Sequence, residues 1–209
     1  MNIILNEKSV KEFINDYISS ITLKKKEVKN GRYHHNCDYS DAPSIVRNGI
    51  LSLSDISRLG IKKYSSKVLD LASDVESHIN GSDAISLAVV GLTDLYRDED
   101  EYNPFNPAVV DFIVSDSIKA SRSSINYGNE FLSYEPIYSD KFKAIDIRLR
   151  AYLERTKDYK KVISMYEDLR RIALAMKDTE LDVPLREMSD GNSCIDIDKV
   201  IKMPKILIK

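Results

Sequence analysis

Two separated stretches of this chain hold residues whose types and spacing could do chemistry. The first is Tyr33-His34-His35-Asn36-Cys37, which runs into a short helix closing on Asn48-Gly49-Ile50-Leu51. A histidine at a strand end, a polar residue two places on and a capped helix ending on glycine is one way a nucleotide pocket begins. The second is Glu130, much further along, which opens an apolar segment directly after a loop rich in serine, asparagine and glycine. A carboxylate at the rim of a sheet beneath such a loop is placed to hydrogen-bond a sugar hydroxyl and to stabilise a developing cation.

Plainer roles compete with these. A histidine beside a strand often serves as a hydrogen-bonded structural residue. His34 and His35 alternate on a strand and so face opposite ways, which lets one of them enter a given pocket. The plain role of Glu130 is an edge charge that deters aggregation. Glu135 is the rival carboxylate, but it precedes Pro136 and stands near the strand's exit. The cluster His34, His35, Cys37, Asp38 is badly spaced for a metal. Neighbouring strand positions diverge, no second ligand pair stands at zinc-finger distance, and His78 and Cys194 are isolated, so no metal is expected. With 7 glycines in all, the chain has neither a GxGxxG nor a P-loop pattern. Gly-x-Ser-x-Gly and the kinase signatures are missing too. The run Asp98-Glu99-Asp100-Glu101 reads as a solvated face rather than a cation site.

The elements that would position these residues follow from periodicity and caps. Ser9 is predicted to cap a first helix whose apolar face carries Val10, Phe13, Ile14, Tyr17, Ile18 and Ile21. Lys24-Lys25-Lys26 marks a solvated connection, and residues 32–37 read as a short strand. Ser40-Asp41-Ala42-Pro43 opens the next helix with proline in its first turn, and Gly49 closes it in a left-handed cap. Further helices are predicted from Ser54 to near Gly60 and over residues 66–79. The apolar run 84–90, bounded by turn signals, favours a buried strand. Residues 93–107 read as an acidic, proline-punctuated loop, 109–114 as a strand, 118–129 as a polar loop and 130–135 as a strand. Ser139 can cap a turn before Phe142, Ile145 and Ile147, which leaves 139–148 open between turn and strand. A long helix over 158–177 has the apolar stripe Tyr159, Val162, Ile163, Tyr166, Leu169, Ala173 and Met176. A last strand lies at 194–197 or at 205–208. Helices early and late, with strands in the middle and at the end, point to an α+β fold rather than regular βαβ alternation.

Composition limits the classes. A chain of 209 residues can bury one good core, and 43% hydrophobic with 31% charged residues describes an ordinary soluble globular protein. A net charge of -2 and a pI near 6.0 argue against a dedicated polyanion coat protein, though a local basic groove remains compatible with them. Ile3-Ile4-Leu5 is too short for a signal-peptide core or a membrane span, so a cytoplasmic protein with no membrane partner is expected. Cys37 and Cys194 are too few for a disulfide framework and are expected as free thiols. Asn80-Gly81-Ser82 reads as a turn. The 12 tyrosines without tryptophan reflect compositional drift more than a stacking pocket.

Taken together, the order of these pieces resembles the ADP-ribosyltransferase fold family, and within it the DarT-like branch, whose members modify nucleic acid. Tyr33-His34-His35-Asn36 is similar to that branch's Tyr-His-x-Thr strand, with Asn36 in the Thr place. Ser44-Ile45-Val46-Arg47-Asn48-Gly49-Ile50-Leu51 resembles the Ser-Ile-x-x-x-Gly-Leu-Leu helix that follows. Ile56-Ser57-Arg58-Leu59-Gly60-Ile61 and Tyr64 are similar to the next segment, with Arg58 nearest the family's second-helix arginine. Ile85-Ser86-Leu87 resembles the middle strand, and Asn129-Glu130-Phe131-Leu132 the strand that carries the catalytic glutamate. The likeness covers residues 30–148, with nothing in it that corresponds to the helix from Asp158.

The resemblance implies an ADP-ribosyltransferase-like split β-sandwich core with flanking helices and a long C-terminal helix. It implies a single domain over 1–209, with the core at 30–148 and a helical extension at 150–190. It implies NAD as a substrate, with Tyr33, His34, Asn36, Gly49, Arg58, Tyr64 and Ser86 around it and Tyr64 or Tyr127 stacking on nicotinamide. Nicotinamide would leave, and Glu130 would stabilise the charge developing on the ribose. Arg122, Ser123 and Tyr127 belong to the loop under which the acceptor approaches, with Lys119 adding to its positive pole. Arginine-modifying relatives carry Glu or Gln two residues before the catalytic glutamate. Gly128 stands there in this chain, which turns the expectation toward a DNA or RNA acceptor. The expected role is that of a toxin or anti-phage protein with a possible antitoxin partner. Other readings are transfer to a protein side chain, a phosphotransferase on the same fold, and a non-catalytic interaction module.

Overall fold

A computed structural model describes residues 2–25, 31–61, 83–89, 110–122, 130–188 and 193–209. They form strand β1 (Asn2–Leu5), a 3-10 turn (Glu7–Ser9), helix α1 (Val10–Ile21), strands β2 (Thr22–Lys25) and β3 (Tyr33–Cys37), and helices α2 (Ala42–Asn48) and α3 (Leu53–Arg58). Strands β4 (Ile85–Val89), β5 (Val110–Val114), β6 (Ser121–Arg122) and β7 (Glu130–Ser133) follow, then a 3-10 turn (Ser139–Lys141) and strand β8 (Phe142–Ile147). Helices α4 (Leu149–Arg155) and α5 (Tyr159–Asp178), strands β9 (Leu185–Glu187) and β10 (Ser193–Ile195), helix α6 (Ile197–Ile201) and strand β11 (Lys205–Ile208) complete the chain. The helix expected over 66–79 and the loop expected over 93–107 lie outside the described residues.

Local signals explain most of these elements. Helix α1 buries Val10, Ile14, Ile18 and Ile21, one face of its period. Its start differs from expectation. Ser9 already has helical backbone angles and makes no cap hydrogen bond, its hydroxyl donating to the Asn6 carbonyl instead; Asn6 Oδ1 accepts from the Ser9 N–H at 3.0 Å and the chain enters through a 3-10 turn. Pro43 sits in the first turn of α2, and Ser52 caps α3 by accepting from the Asp55 N–H. Lys24 and Lys25, expected in a solvated connection, belong to β2, which stands at one end of the described sheet's strand order. Both candidates for the last strand form, as β10 and β11.

Among the described residues nine strands make one sheet, ordered β2-β10-β9-β8-β5-β3-β4-β7-β6, and β1 pairs with β11 in a separate two-stranded ribbon. The fold is thus a mixed α+β arrangement with a mixed sheet. Within the large sheet β8 and β9 run parallel. A parallel pair cannot be joined by a hairpin, and α4 and α5 form the crossover. Helix α5 packs on α1 and α2, burying a wider band than its stripe foretold, with Met165, Ile172 and Ala175 added to Val162, Tyr166, Leu169, Ala173 and Met176. Glu187 of β9 is fully buried, and its carboxylate accepts from the Leu149 N–H at 3.0 Å, holding the start of α4. No helix among the described residues is long and apolar enough to cross a membrane.

The sheet has two unlike faces. Tyr33, Leu87, Phe112, Val114, Ile145 and Ile147 alternate onto one side and join a single apolar cluster with Ile14 and Ile18 of α1, Val46 of α2 and Leu169 and Ile172 of α5. Ile113, Leu132, Ala144 and Cys194 are also buried but lie outside that cluster, because their positions alternate onto the other side.

Gly49 ends α2 with φ at +85°, and a Cβ there would stand 2.7 Å from the Ile137 carbonyl oxygen. The chain makes a backbone bridge at this point between Ile50 and Ile137. Gly49→Ala is therefore expected to cost roughly 1–3 kcal/mol, read as a lower urea midpoint with an unchanged slope.

Candidate functional site

Register decides which side chains share a face, since paired residues on neighbouring strands lie side by side. One cross-strand row runs Ile113 on β5, His34 on β3, Ala88 on β4 and position 130 on β7. A second runs Asn36, Asp111, Asp146, Arg186 and Cys194 across β3, β5, β8, β9 and β10. Ser86 stands two residues from Ala88 and opposite Leu132, so it shares the same face. His34, Asn36 and Ser86 therefore share the face away from the apolar cluster, and the register sets position 130 in the same row as His34 and Ala88.

Strands β3 and β4 part beside the histidines. Tyr33 pairs with Val89 and His34 with Ala88, but His35 and Leu87, though both described, do not pair, while β3 continues along β5 as far as Cys37. In the gap the His35 Nδ1 lies 3.0 Å from the Ser86 carbonyl oxygen. A carbonyl only accepts, so Nδ1 carries the proton. Burial holds the His35 pKa below its ordinary value, the Ser86 carbonyl opposing the shift.

His34 is buried, and its Nδ1 lies 3.7 Å from Oδ1 of the buried Asp111. Beside Asp111, Asp146 receives both arms of the Arg186 guanidinium, Nη2 to Oδ2 at 2.6 Å and Nε to Oδ1. Burial raises the Asp146 pKa, with Asp111 adding to the effect and Arg186 opposing it. Asp111, Asp146 and Arg186 escaped the sequence reading. Their signal is present in it: Val110-Asp111-Phe112 and Ile145-Asp146-Ile147 each set a carboxylate inside an otherwise apolar strand.

Set against protein-family models, curated proteins and solved structures, the chain matches none. What it does must be read from its own residues.

Several expected site residues stand elsewhere. Tyr33 lies on the apolar face, its ring centroid 5.3 Å from that of Phe131, with the Arg32 guanidinium 5.3 Å above it. Gly49 approaches Ile137 and Tyr138 rather than the polar face. Arg58 is exposed and pairs with Asp55 of its own helix. Arg122 is exposed on the edge strand β6 and opposite Phe131, so the alternation puts it on the side away from position 130. Lys119, expected to add to the loop's positive pole, forms an ion pair with Glu135 at 2.7 Å, which balances its charge and occupies the rival carboxylate. Tyr64, Ser123 and Tyr127 lie outside the described residues.

Arg186→Met should cost roughly 3–5 kcal/mol by leaving the Asp146 carboxylate buried without its partner, and Asp146→Leu added to it should recover most of that loss in urea denaturation. His35 gives a pH prediction. Its folded pKa lies below the unfolded value, so once the pH falls under about 6.5 the unfolded chain binds more protons. Folding should weaken as the pH drops through that window, and His35→Gln should flatten the decline between pH 7.5 and 5.5.

Proposed function

We propose that this chain is an NAD-dependent mono-ADP-ribosyltransferase of the cytoplasm, acting on a macromolecular acceptor, DNA or RNA foremost, in a toxin or anti-phage role. The observation that carries the reading is the row His34–Ala88–position 130 on three adjacent strands, with Asn36 and Ser86 on the same face. These are the strands on which the family likeness rests, and on this reading the sheet is the core of an ADP-ribosyltransferase-like split β-sandwich.

The residues suit such a substrate. Strands β3 and β7 are separated by β4, which sets their backbones roughly 9–10 Å apart. The residue between them is Ala88, whose methyl group leaves the floor of the row low. His34, Asn36 and Ser86 offer hydrogen-bonding groups for hydroxyls and amides. Glu130 supplies the negative charge that a ribose needs as its bond to nicotinamide breaks. In the transfer, that bond's electron pair leaves with nicotinamide, a new bond forms from the same carbon to the acceptor, and the acceptor atom gives up its proton. Gly128 offers no second acid for an arginine acceptor, which favours a nucleic-acid base, and a neutralising antitoxin is the natural partner of such an activity.

The test is incubation of the protein with labelled NAD and separate DNA, RNA and protein acceptors. One class should take up label, and Glu130→Gln should lower the rate at least ~100-fold while melting stays in place. No label together with no NAD hydrolysis would return the chain to the interaction-module reading. A Glu130→Gln protein with full activity would remove the glutamate from the chemistry.

A further inference from the structure

We infer that the open edge of β1 is a self-association surface, on which two copies of this chain pair their β1 strands antiparallel about a two-fold axis at Ile4. Nothing in this pairing depends on the function proposed above.

Among the described residues β1 pairs with β11 alone, in a parallel two-stranded ribbon. The inner face of the ribbon holds it to the body of the protein: Ile206 enters the apolar cluster, and Ile3 and Leu5 pack against it. The outer face carries Ile4 opposite Leu207. Both are exposed, and Ile4, at 65%, is more so than any other large apolar residue described. The backbone of β1 alternates as its side chains do. The Leu5 carbonyl accepts from the Lys209 N–H, so Ile3 and Leu5 turn their N–H and C=O toward β11, and Ile4 turns both of its own outward. From Asn2 to Asn6 the strand has neither a charge nor a proline, the devices that usually keep an edge from pairing. The other strand of the ribbon, β11, is bracketed by exposed Lys205 and Lys209.

The spacing makes this edge complementary to itself. Asn2 and Asn6 stand two residues to either side of Ile4, both exposed, and Asn6 keeps extended backbone angles. With Ile4 opposite Ile4 of a second copy, each donates its N–H to the other's carbonyl, as in a hydrogen-bonded antiparallel pair. Asn6 of each copy then comes opposite Asn2 of the other and donates its N–H to that carbonyl, while its own carbonyl stays with Ser9. Directly opposite residues share a face, so Leu207 and Ile4 of one copy line up with Ile4 and Leu207 of the other in one aliphatic row. Two ribbons, each of a size that is marginal by itself, become one four-stranded sheet.

The experiment follows the full chain by sedimentation from about 10 μM to about 1 mM, a range set by the small area that a ribbon edge buries. Monomer should convert to dimer across it. Over the same range the Ile4 amide should come to exchange with solvent at least ~10-fold more slowly, while the Leu5 amide, turned toward β11, keeps its rate. Ile4→Lys sets like charges opposite each other at the axis and should return the concentrated protein to monomer. Ile4→Pro removes an N–H that points away from the ribbon and should do the same, with the melting of the dilute protein unchanged in both variants. A chain that stays monomeric at the top of the range overturns the inference. So does a dimer whose Ile4 amide exchanges as fast as in the monomer, or one that either variant leaves intact, since its copies then meet through another surface. Should Ile4→Pro fail to fold, the amide and Ile4→Lys decide.

Discussion

A strand buried on both sides tolerates no polar group without a partner, and β5 is such a strand. All of its residues are buried, it pairs with β3 on one edge and β8 on the other, and its faces are covered differently. On one face Val110, Phe112 and Val114 enter the apolar cluster, and Phe112 packs its ring 5.1 Å from Phe142. On the other, Asp111 stands in the register between Asn36 and Asp146, with Oδ1 3.7 Å from Nδ1 of His34, and Arg186 pairs with Asp146. Charges buried in low dielectric need close opposite charge or hydrogen bonds, which Arg186 supplies to Asp146 on that face.

The helices serve the opposite side. α1, α2 and α5 share the apolar cluster with the sheet, and the parallel pair β8–β9 obliges the chain to cross over through α4 and α5 before rejoining the sheet. The segment after residue 148 is therefore more than a helical annex to a core. β9 brings Arg186 to Asp146 and Glu187 to the start of α4, so the charge balance of the polar face depends on a strand late in the chain.

What could be read from the sequence was what short stretches determine by themselves. The faces of α1 and α5, the proline start and glycine end of α2, and the apolar runs of β4 and β5 depend on neighbours three or four residues away, and they were legible. β1, β2 and β9 were not. Each is only three or four residues long, and each owes its existence to a partner distant in sequence, as Asn2 pairing with Lys205 illustrates. The site divides in the same way. That His34 and His35 face apart follows from strand alternation alone. That His34, Ala88 and Glu130 share a row, that Arg122 lies on the reverse side, and that Lys119 is taken up by Glu135 depend on register and loop path, which no local pattern encodes.

The parting of β3 from β4 has a consequence for shape. Past His34 the end of β4 is laddered to β7, and one tie across the gap to β3 is the His35 imidazole donating to the Ser86 carbonyl. A backbone ladder repeats at an almost constant width, whatever its side chains. A side-chain link has the length and angle of that side chain. Residue 35 thus helps to set the width of the wedge between the two strands, and a shorter or longer side chain there would alter the floor beneath Asn36 and Ser86.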